Sequence, residues 1–315
     1  MKKVLVTGGA GYLGKHLAKT LYNVGHKVYC VDRVKANCKY YHKELQSDIA
    51  ESPKSLYQFF IEDINTVFHL AGRIEVGMSW NYPIHFWKDN VIATLHLIDM
   101  MKEYNVPNIV YSSSAGVYKP KENLLTENDP ISYNNPYANS KIAAETAIRD
   151  SGINNTIFRF FNLAGADPDG EMGEDHQPET HMIPLLFENL NNFVINGNDY
   201  QTKDGTCIRD YVHVSDVAEA HLSAMNYLNT WKSNQSATLN LGTGVGYSNL
   251  EIVNLAKDKL GIDIQYKFGP RRQGDPSRLV ADIESAKSLL GFKPKYDISD
   301  ILETAYSWYT RNEHR

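Results

Sequence analysis

The chain opens on a short apolar run, Val4-Leu5-Val6, which stops at a glycine turn and is followed by an amphipathic stretch from Tyr12 to Tyr22. Lys27 to Val31 reads as a second strand, Thr66 to Leu70 as another, and Asn108 to Ser112 as a fourth. Between the last two lies a helical pattern, roughly Ile84 to Tyr104. Strands alternating with helices of this length predict an α/β fold with a parallel, doubly wound sheet. After about Phe160 the texture changes. Ala164 to Thr180 is polar, acidic and rich in glycine and proline, and is too long for a routine connection. Its acidic residues, taken alone, read as a solvated loop, yet the whole segment falls where the sheet's carboxyl edge meets a ligand. The expected organisation is a sheet-forming half over residues 1–160 and a smaller lobe over 161–315, interleaved with returns to the main sheet.

Composition narrows the class. With 315 residues, 42% hydrophobic and 22% charged, the chain is long enough for two lobes around a sizeable core. A formal net charge of −5 argues against nucleic acid as the main partner, because phosphate contacts need a basic face. Cys30, Cys38 and Cys207 have no metal-ligand spacing and read as reduced thiols. The apolar stretch after Met1-Lys2-Lys3 ends at Thr7-Gly8-Gly9, too short for a signal core, and no apolar run reaches 18 residues. A cytoplasmic protein without a membrane anchor is expected.

Gly8-Gly9-Ala10-Gly11-Tyr12-Leu13-Gly14 places G-x-x-G-x-x-G directly after the first strand and at the start of the first helix. Glycines there permit a tight turn and let the backbone approach a pyrophosphate at the positive helix N-terminus, the arrangement of a Rossmann fold. Asp32 ends the second strand, 18 residues after Gly14. A carboxylate there accepts bonds from the adenosine ribose hydroxyls and repels a 2′-phosphate, which favours NAD over NADP; Arg33 next door works against that preference. Asp48-Ile49 follows the next short extended segment and is placed to cap the adenine edge, although Asp48 alone reads equally as a turn carboxylate. Leu70-Ala71-Gly72 ends the strand beyond, with small residues where the cofactor would pass.

Tyr137-Ala138-Asn139-Ser140-Lys141 starts a helical stretch running to about Asp150, and i, i+4 spacing puts Tyr137 and Lys141 on one face. A free tyrosine is a poor base near neutrality, but a neighbouring ammonium and a positive nicotinamide ring both stabilise phenolate. Lys141 is also placed to bond the nicotinamide ribose. Y-x-x-x-K alone is usually a helix surface. Behind a dinucleotide turn, with Ser112-Ser113-Ser114 ending the preceding strand, it reads as a catalytic pair, and a serine there orients the reacting hydroxyl.

These motifs resemble the extended short-chain dehydrogenase/reductase family and, within it, the UDP-sugar 4-epimerases. The resemblance runs nearly end to end. Besides the segments above it includes Ala115-Gly116-Val117-Tyr118, Arg159-Phe160-Phe161-Asn162 and Gly173-Glu174-Asp175-His176. Asp204-Gly205-Thr206, Arg209-Asp210-Tyr211-Val212-His213 and Arg271-Arg272-Gln273-Gly274-Asp275 complete it. The resemblance implies NAD held also by Asn90 and Phe161, with a UDP-hexose as substrate. It implies Asn162 near the substrate phosphates, Arg209 and Arg272 on the diphosphate, Asp275 on the uridine ribose, and His181, Met182 and Tyr211 along the substrate. Ser114 and Tyr137 would bracket the sugar C4 hydroxyl. Hydride passes from C4 to NAD, the 4-keto sugar turns, and hydride returns to its other face. UDP-glucose and UDP-galactose would thus be interconverted.

The resemblance also places Leu279 beside the sugar's C2 substituent, where a tyrosine crowds out an N-acetyl group and a small residue admits it. It implies a homodimer built on the helices near Pro83–Tyr104 and Asn135–Asp150. Some positions depart from the pattern. The stretch between Asp32 and Asp48 is short, Ile74 stands where some members carry a lysine, and Asn196 where an aromatic often packs near uracil. His181-Met182 replaces an Asn-Leu, and no metal is expected at His181, because no second ligand of sensible spacing accompanies it. A dehydratase would need Asp-Glu directly after the serine strand, where this chain has Ala115-Gly116. An NAD-binding regulator without activity could dispense with the tyrosine or the lysine, and both are present.

Overall fold

The computed structural model describes residues 1–230, 235–272 and 274–312; Gln273, within the last motif above, lies outside them. Seven parallel strands form the main sheet: β1 (Lys3–Thr7), β2 (Lys27–Asp32), β3 (Lys43–Gln46), β4 (Thr66–His69), β5 (Asn108–Ser114), β6 (Asn154–Phe160) and, from far along the chain, β10 (Ser236–Leu241). Their order is β10-β6-β5-β4-β1-β2-β3. The chain therefore winds outward from β1 through β2 to β3 and then restarts at β4 on β1's other side. Ligands of open α/β sheets bind at the carboxyl ends of strands where the winding reverses, which here is the gap between β1 and β4.

Burial explains the sheet. β1, β4 and β5 are almost continuously covered, as strands with helices on both faces must be. One face packs the helices Tyr12–Asn23 and Val214–Leu228 against Val4, Val6, Phe68 and Phe158. The other packs Ala93–Glu103 and Pro136–Asp150 against Leu5, Val67, Ile109 and Ile157. A third core, around Ile183, Phe187, Ile252 and Ile301, belongs to the smaller lobe. That lobe carries β9 (Ile208–His213), which pairs with β7 (Asn162–Ala164), β11 (Gly246–Ser248) and β13 (Arg278–Leu279). A separate pair joins β8 (Phe193–Asn196) to β12 (Tyr266–Gly269).

At the winding reversal the strand ends are tied together. Thr7 and His69 stand opposite in register, and Thr7 Oγ1 lies 2.7 Å from His69 Nδ1, whose Nε2 lies 2.9 Å from Thr94 Oγ1. Burial, with the charge of Lys141 adding to it, depresses the His69 pKa to about 3, so this ring is a neutral strut. Gly8 takes φ +72°, and a Cβ there would stand 2.7 Å from Ala71 N. The two turns that frame the cleft can meet only because that side chain is missing.

The helical pattern from Ile84 to Tyr104 is not one regular helix. Pro83–Phe86 runs into a π-helical turn, Trp87–Ile92, before Ala93–Glu103 continues. The wider turn brings Asp89 and Asn90 inward together, both buried, and such turns gather at functional sites.

Candidate active site

A cleft of about 640 Å³ opens over the winding reversal, within the range of small-molecule sites. One wall is the glycine turn, Gly8, Gly11, Tyr12, Leu13 and Gly14. Asp32, Asp48 and Ile49 line one end, and Leu70, Ala71 and Gly72 the floor. Ser112, Ser114, Tyr137, Lys141 and Phe161 stand opposite, and Asn162, His181, Met182, Tyr211 and Leu279 close the far side. Residues from both halves of the chain thus face one space.

The helix Pro136–Asp150 begins where Asn135 Oδ1 accepts the Ala138 N–H at 2.8 Å, with Pro136 in its first turn. That start sets the phase that buries Tyr137 and Lys141 against β5. Lys141 Nζ donates to the Ser112 carbonyl at 2.9 Å and lies 5.2 Å from the Tyr111 ring centre. Burial pulls its pKa down to about 8, with Glu145 opposing. Burial pushes the Tyr137 phenol up to about 12; Ser114 lowers it and Glu75 raises it further. From the sequence, the lysine and a nicotinamide ring are expected together to stabilise the phenolate. Within the protein alone burial wins, so the phenolate depends on positive charge delivered with a bound nicotinamide.

Beneath the pair lies a buried network. Glu145 accepts from Ser113 Oγ at 2.5 Å and from Arg159 Nη2 at 2.8 Å, and the Arg159 guanidinium stacks 4.8 Å over Tyr118. Here an interior carboxylate has both a charge partner and a donor, as burial requires. It fixes the serine strand against the tyrosine helix.

At the adenosine end, Asp32 accepts the Ala10 N–H at 3.0 Å and the Val34 N–H at 3.2 Å, so the carboxylate stands at the mouth of the glycine turn. Arg33 is held by Asp89 at 2.5 Å and Asp48 at 3.0 Å, while Arg73 Nε donates to Asp89 at 2.6 Å. An arginine already committed to two carboxylates is a poor receptor for a 2′-phosphate, so Arg33 supports the preference it was expected to weaken. Asp48 lines the cleft but spends one oxygen on Arg33 and the other on the Ala50 N–H. Sequence reasoning missed Asp89 and Arg73, because only the π-helical turn brings them together.

Asn90 sits directly behind the Gly72–Arg73 part of the lining. Its side chain accepts the Arg73 N–H at 2.7 Å and donates to the Arg73 carbonyl and to Ser140 Oγ. These bonds hold the Gly72–Arg73 turn against the tyrosine helix and so brace the cofactor wall from behind. Arg209, Arg272 and Asp275 also lie outside the cleft's lining. Arg209 is buried and donates to the Ile208 and Pro276 carbonyls, with Asp275 at 3.7 Å. Arg272 is exposed. Its neighbour Arg271 stacks 4.2 Å over Tyr200 and pairs with Asp199, close to Asn196 on β8.

The acidic loop is not simply solvated. Asp169 and Asp175 face water, but Asp167 is buried against Lys19 at 2.8 Å. Glu174 and Glu179 keep only 5% and 4% of their side chains exposed. They stand beside His176 and His181, so groups able to share an ion with His181 do accompany it, because the loop folds back and brings Glu174 and His176, seven and five residues earlier, alongside.

Fold and site together match one class of enzyme: a Rossmann sheet whose carboxyl edge opens on a dinucleotide-sized cleft with a buried tyrosine–lysine pair in its wall. The chain belongs to the NAD dependent epimerase/dehydratase family, which matches residues 4–242. It is 41% identical to the UDP-glucose 4-epimerase of Lactobacillus helveticus, covering 98% of this chain and 97% of that one. Among solved structures it is similar to the UDP-glucose 4-epimerase of Stenotrophomonas maltophila with bound NAD and formylated UDP-arabinopyranose. The two are 30% identical, with a TM-score of 0.94 over 100% of this chain and 99% of the other. The Bifidobacterium longum UDP-glucose 4-epimerase in complex with NAD+ and UDP matches at 34% identity and TM-score 0.91 over 99% of both.

Proposed function

We propose that this protein interconverts UDP-glucose and UDP-galactose by inverting C4 through a 4-keto sugar, with NAD held in the cleft. The observation that carries the reading is the continuity of one cleft from the glycine turn, past Tyr137, Lys141 and Ser114, to Asn162, Tyr211 and Leu279. NAD, when bound, supplies a hydride acceptor that returns the hydride after reduction, so it is regenerated in every cycle. Tyr137 takes the C4 hydroxyl proton and later gives it back. Ser114 orients that hydroxyl between the phenol and the nicotinamide. Lys141 bonds the nicotinamide ribose and keeps positive charge near the phenol. Arg209 and Arg272 hold the diphosphate and Asp275 the uridine ribose, which leaves the sugar free to turn.

Ala115-Gly116 after the serine strand offers no acid–base pair for dehydration, and UDP-glucose 4-epimerases are the relatives named above. The cofactor half spans about 1–160 and the sugar-nucleotide half 161–315. A homodimer fits the exposed apolar side chains Trp80, Tyr82, Ile84, Trp87, Ile92 and Leu95, which crowd the surface before and along the helix ending at Glu103. Three free thiols suit the reducing cytoplasm, and among the described residues no helix is long and apolar enough to cross a membrane.

The test is to incubate the purified protein with UDP-galactose, adding no cofactor, and to follow products by NMR. UDP-glucose should accumulate to equilibrium, and denatured protein should release NAD or NADH with little NADP. A panel of UDP-sugars left unchanged by a protein that carries NAD would overturn the reading, and recovery of mainly NADP would overturn the role given to Asp32.

A further inference from the structure

One group of side chains at the edge of the cleft, which includes His181, takes no proton or hydride in the reaction above. Glu174, His176, Glu179 and His181 each offer one ligating atom, and the four atoms lie within 4.8 Å of one another. His176 Nδ1 stands 3.2 Å from Glu174 Oε1 and 3.7 Å from Glu179 Oε2. It is sealed from water, yet it is not aligned for a hydrogen bond to either oxygen. His181 Nδ1 contacts the same Glu174 oxygen. His181 is hydrogen-bonded to Glu174, whereas His176 Nδ1 is left with two carboxylate oxygens within 3.7 Å and no aligned partner, a place an electron-pair acceptor would fill.

Two imidazoles and two carboxylates are the ligands of a borderline divalent cation. A tetrahedron with bonds of about 2.1 Å has edges of about 3.4 Å, a length that the two His176 separations bracket. We propose that Glu174, His176, Glu179 and His181 form a binding site for a divalent transition cation, zinc foremost.

The site's surroundings suit a structural ion. The Tyr12 ring stands edge-on to His176 with centres 6.5 Å apart, and its hydroxyl donates to the Gly165 carbonyl at 2.5 Å. Trp308 Nε1 donates to the Glu174 carbonyl at 3.2 Å. His181 is the residue on which the helix Met182–Glu188 begins. A cation here ties the glycine-turn helix, the acidic loop and the C-terminal helix Ile298–Asn312 to one point, and so fixes the sugar-facing start of Met182–Glu188. Glu174 and Glu179 also line a second, open cleft of about 870 Å³, which gives a hydrated ion a way in.

Metal counting tests this without reference to turnover. NAD-loaded protein is stripped with a chelator, dialysed and titrated with Zn²⁺ by calorimetry, and the metal retained after gel filtration is measured by mass spectrometry. One equivalent per chain should bind with a Kd below about 1 µM. His176→Asn and Glu179→Gln should each weaken it at least about 100-fold, the share of one ligand in four. X-ray absorption of the wild-type zinc form should show two nitrogen and two oxygen neighbours at about 2.0–2.2 Å, a readout that stands even where a variant fails to fold. Retention well below one equivalent, a zinc shell without two imidazoles, or full affinity in both folded variants would overturn the site. The last result would mark an adventitious surface ion only.

Discussion

The two ends of the cleft are built differently. At the cofactor end the supporting groups are buried and mutually engaged: His69 between Thr7 and Thr94, Asn90 behind Gly72, and Glu145 between Ser113 and Arg159. At the nucleotide-sugar end Arg272 is exposed, and Arg209 and Asp275 stand apart from the cleft at 3.7 Å from one another. A cofactor that stays bound through every cycle gains from a wall set before it arrives. A substrate that must enter, turn about its diphosphate and leave gains from a wall that closes on it. The contrast is between supports buried and paired around the glycine turn and charged groups that stand at the surface or outside the cleft's lining.

The hardest blow to the rigid end is Tyr137→Phe. Turnover should fall at least about 10²-fold, the scale of general-base catalysis, while NAD content stays near wild type. Near-normal turnover in this variant would refute the proton role.

Next comes the cost of burying Lys141. Its folded pKa of about 8 lies below the ordinary value of 10.5, so between those limits the unfolded chain binds more protons and stability rises with pH. Measured by denaturant melts from pH 7.5 to 10, wild type should gain on Lys141→Met by up to about 3 kcal/mol. A gap that stays flat, or that moves the other way, would mean the ammonium is not strained by burial.

At the exposed end, Arg272→Leu should raise KM for UDP-galactose about tenfold, the worth of one charge-assisted bond. Its kcat should change by less than about twofold and its bound NAD not at all. A loss confined to kcat would place Arg272 nearer the chemistry than its exposure allows.

The smallest effect concerns substrate width. Leu279 lines the cleft while packing beside the cluster of Ala115, Val117 and Phe161. UDP-N-acetyl sugars should be epimerised measurably but less well than UDP-galactose and UDP-glucose. Leu279→Tyr should cost the N-acetyl pair more kcat/KM than the plain pair, because a packed wall has few ways to admit extra atoms. Equal losses for both pairs would reduce Leu279 to a packing residue.

What could be read from the chain follows how local each signal is. The glycine turn, the serine strand end and the i, i+4 spacing of Tyr137 and Lys141 declare themselves within a few residues, and all meet at one cleft. Asp89 and Arg73 gave no such sign, since a π-helical turn inside an apparently regular helix brings them to Arg33. Asn90 came only with the resemblance, and its bonds to the Arg73 backbone could not be read from the chain. The buried carboxylates of the acidic loop were read as solvated because composition cannot tell a loop that spreads from one that coils on itself. The burial that raises the phenol's pKa was out of reach for a similar reason: spacing reveals a neighbouring charge, but burial is a property of the whole fold.

The seventh strand has a consequence for the making of the protein. β10 closes the edge of β6 in register from Asn155 to Phe160, yet it lies beyond the entire segment between Phe161 and Gln235. On a ribosome adding about 5–20 residues per second, β6 therefore emerges several seconds before its neighbour exists. For that interval the nascent sheet ends in a bare apolar edge, Ile157-Phe158 among its residues, the kind of surface that recruits other strands. Slow codons or a destabilised β10 would lengthen that interval, and the resulting loss would be seen as insoluble chains in the cell with no change in the activity of the molecules that finish folding.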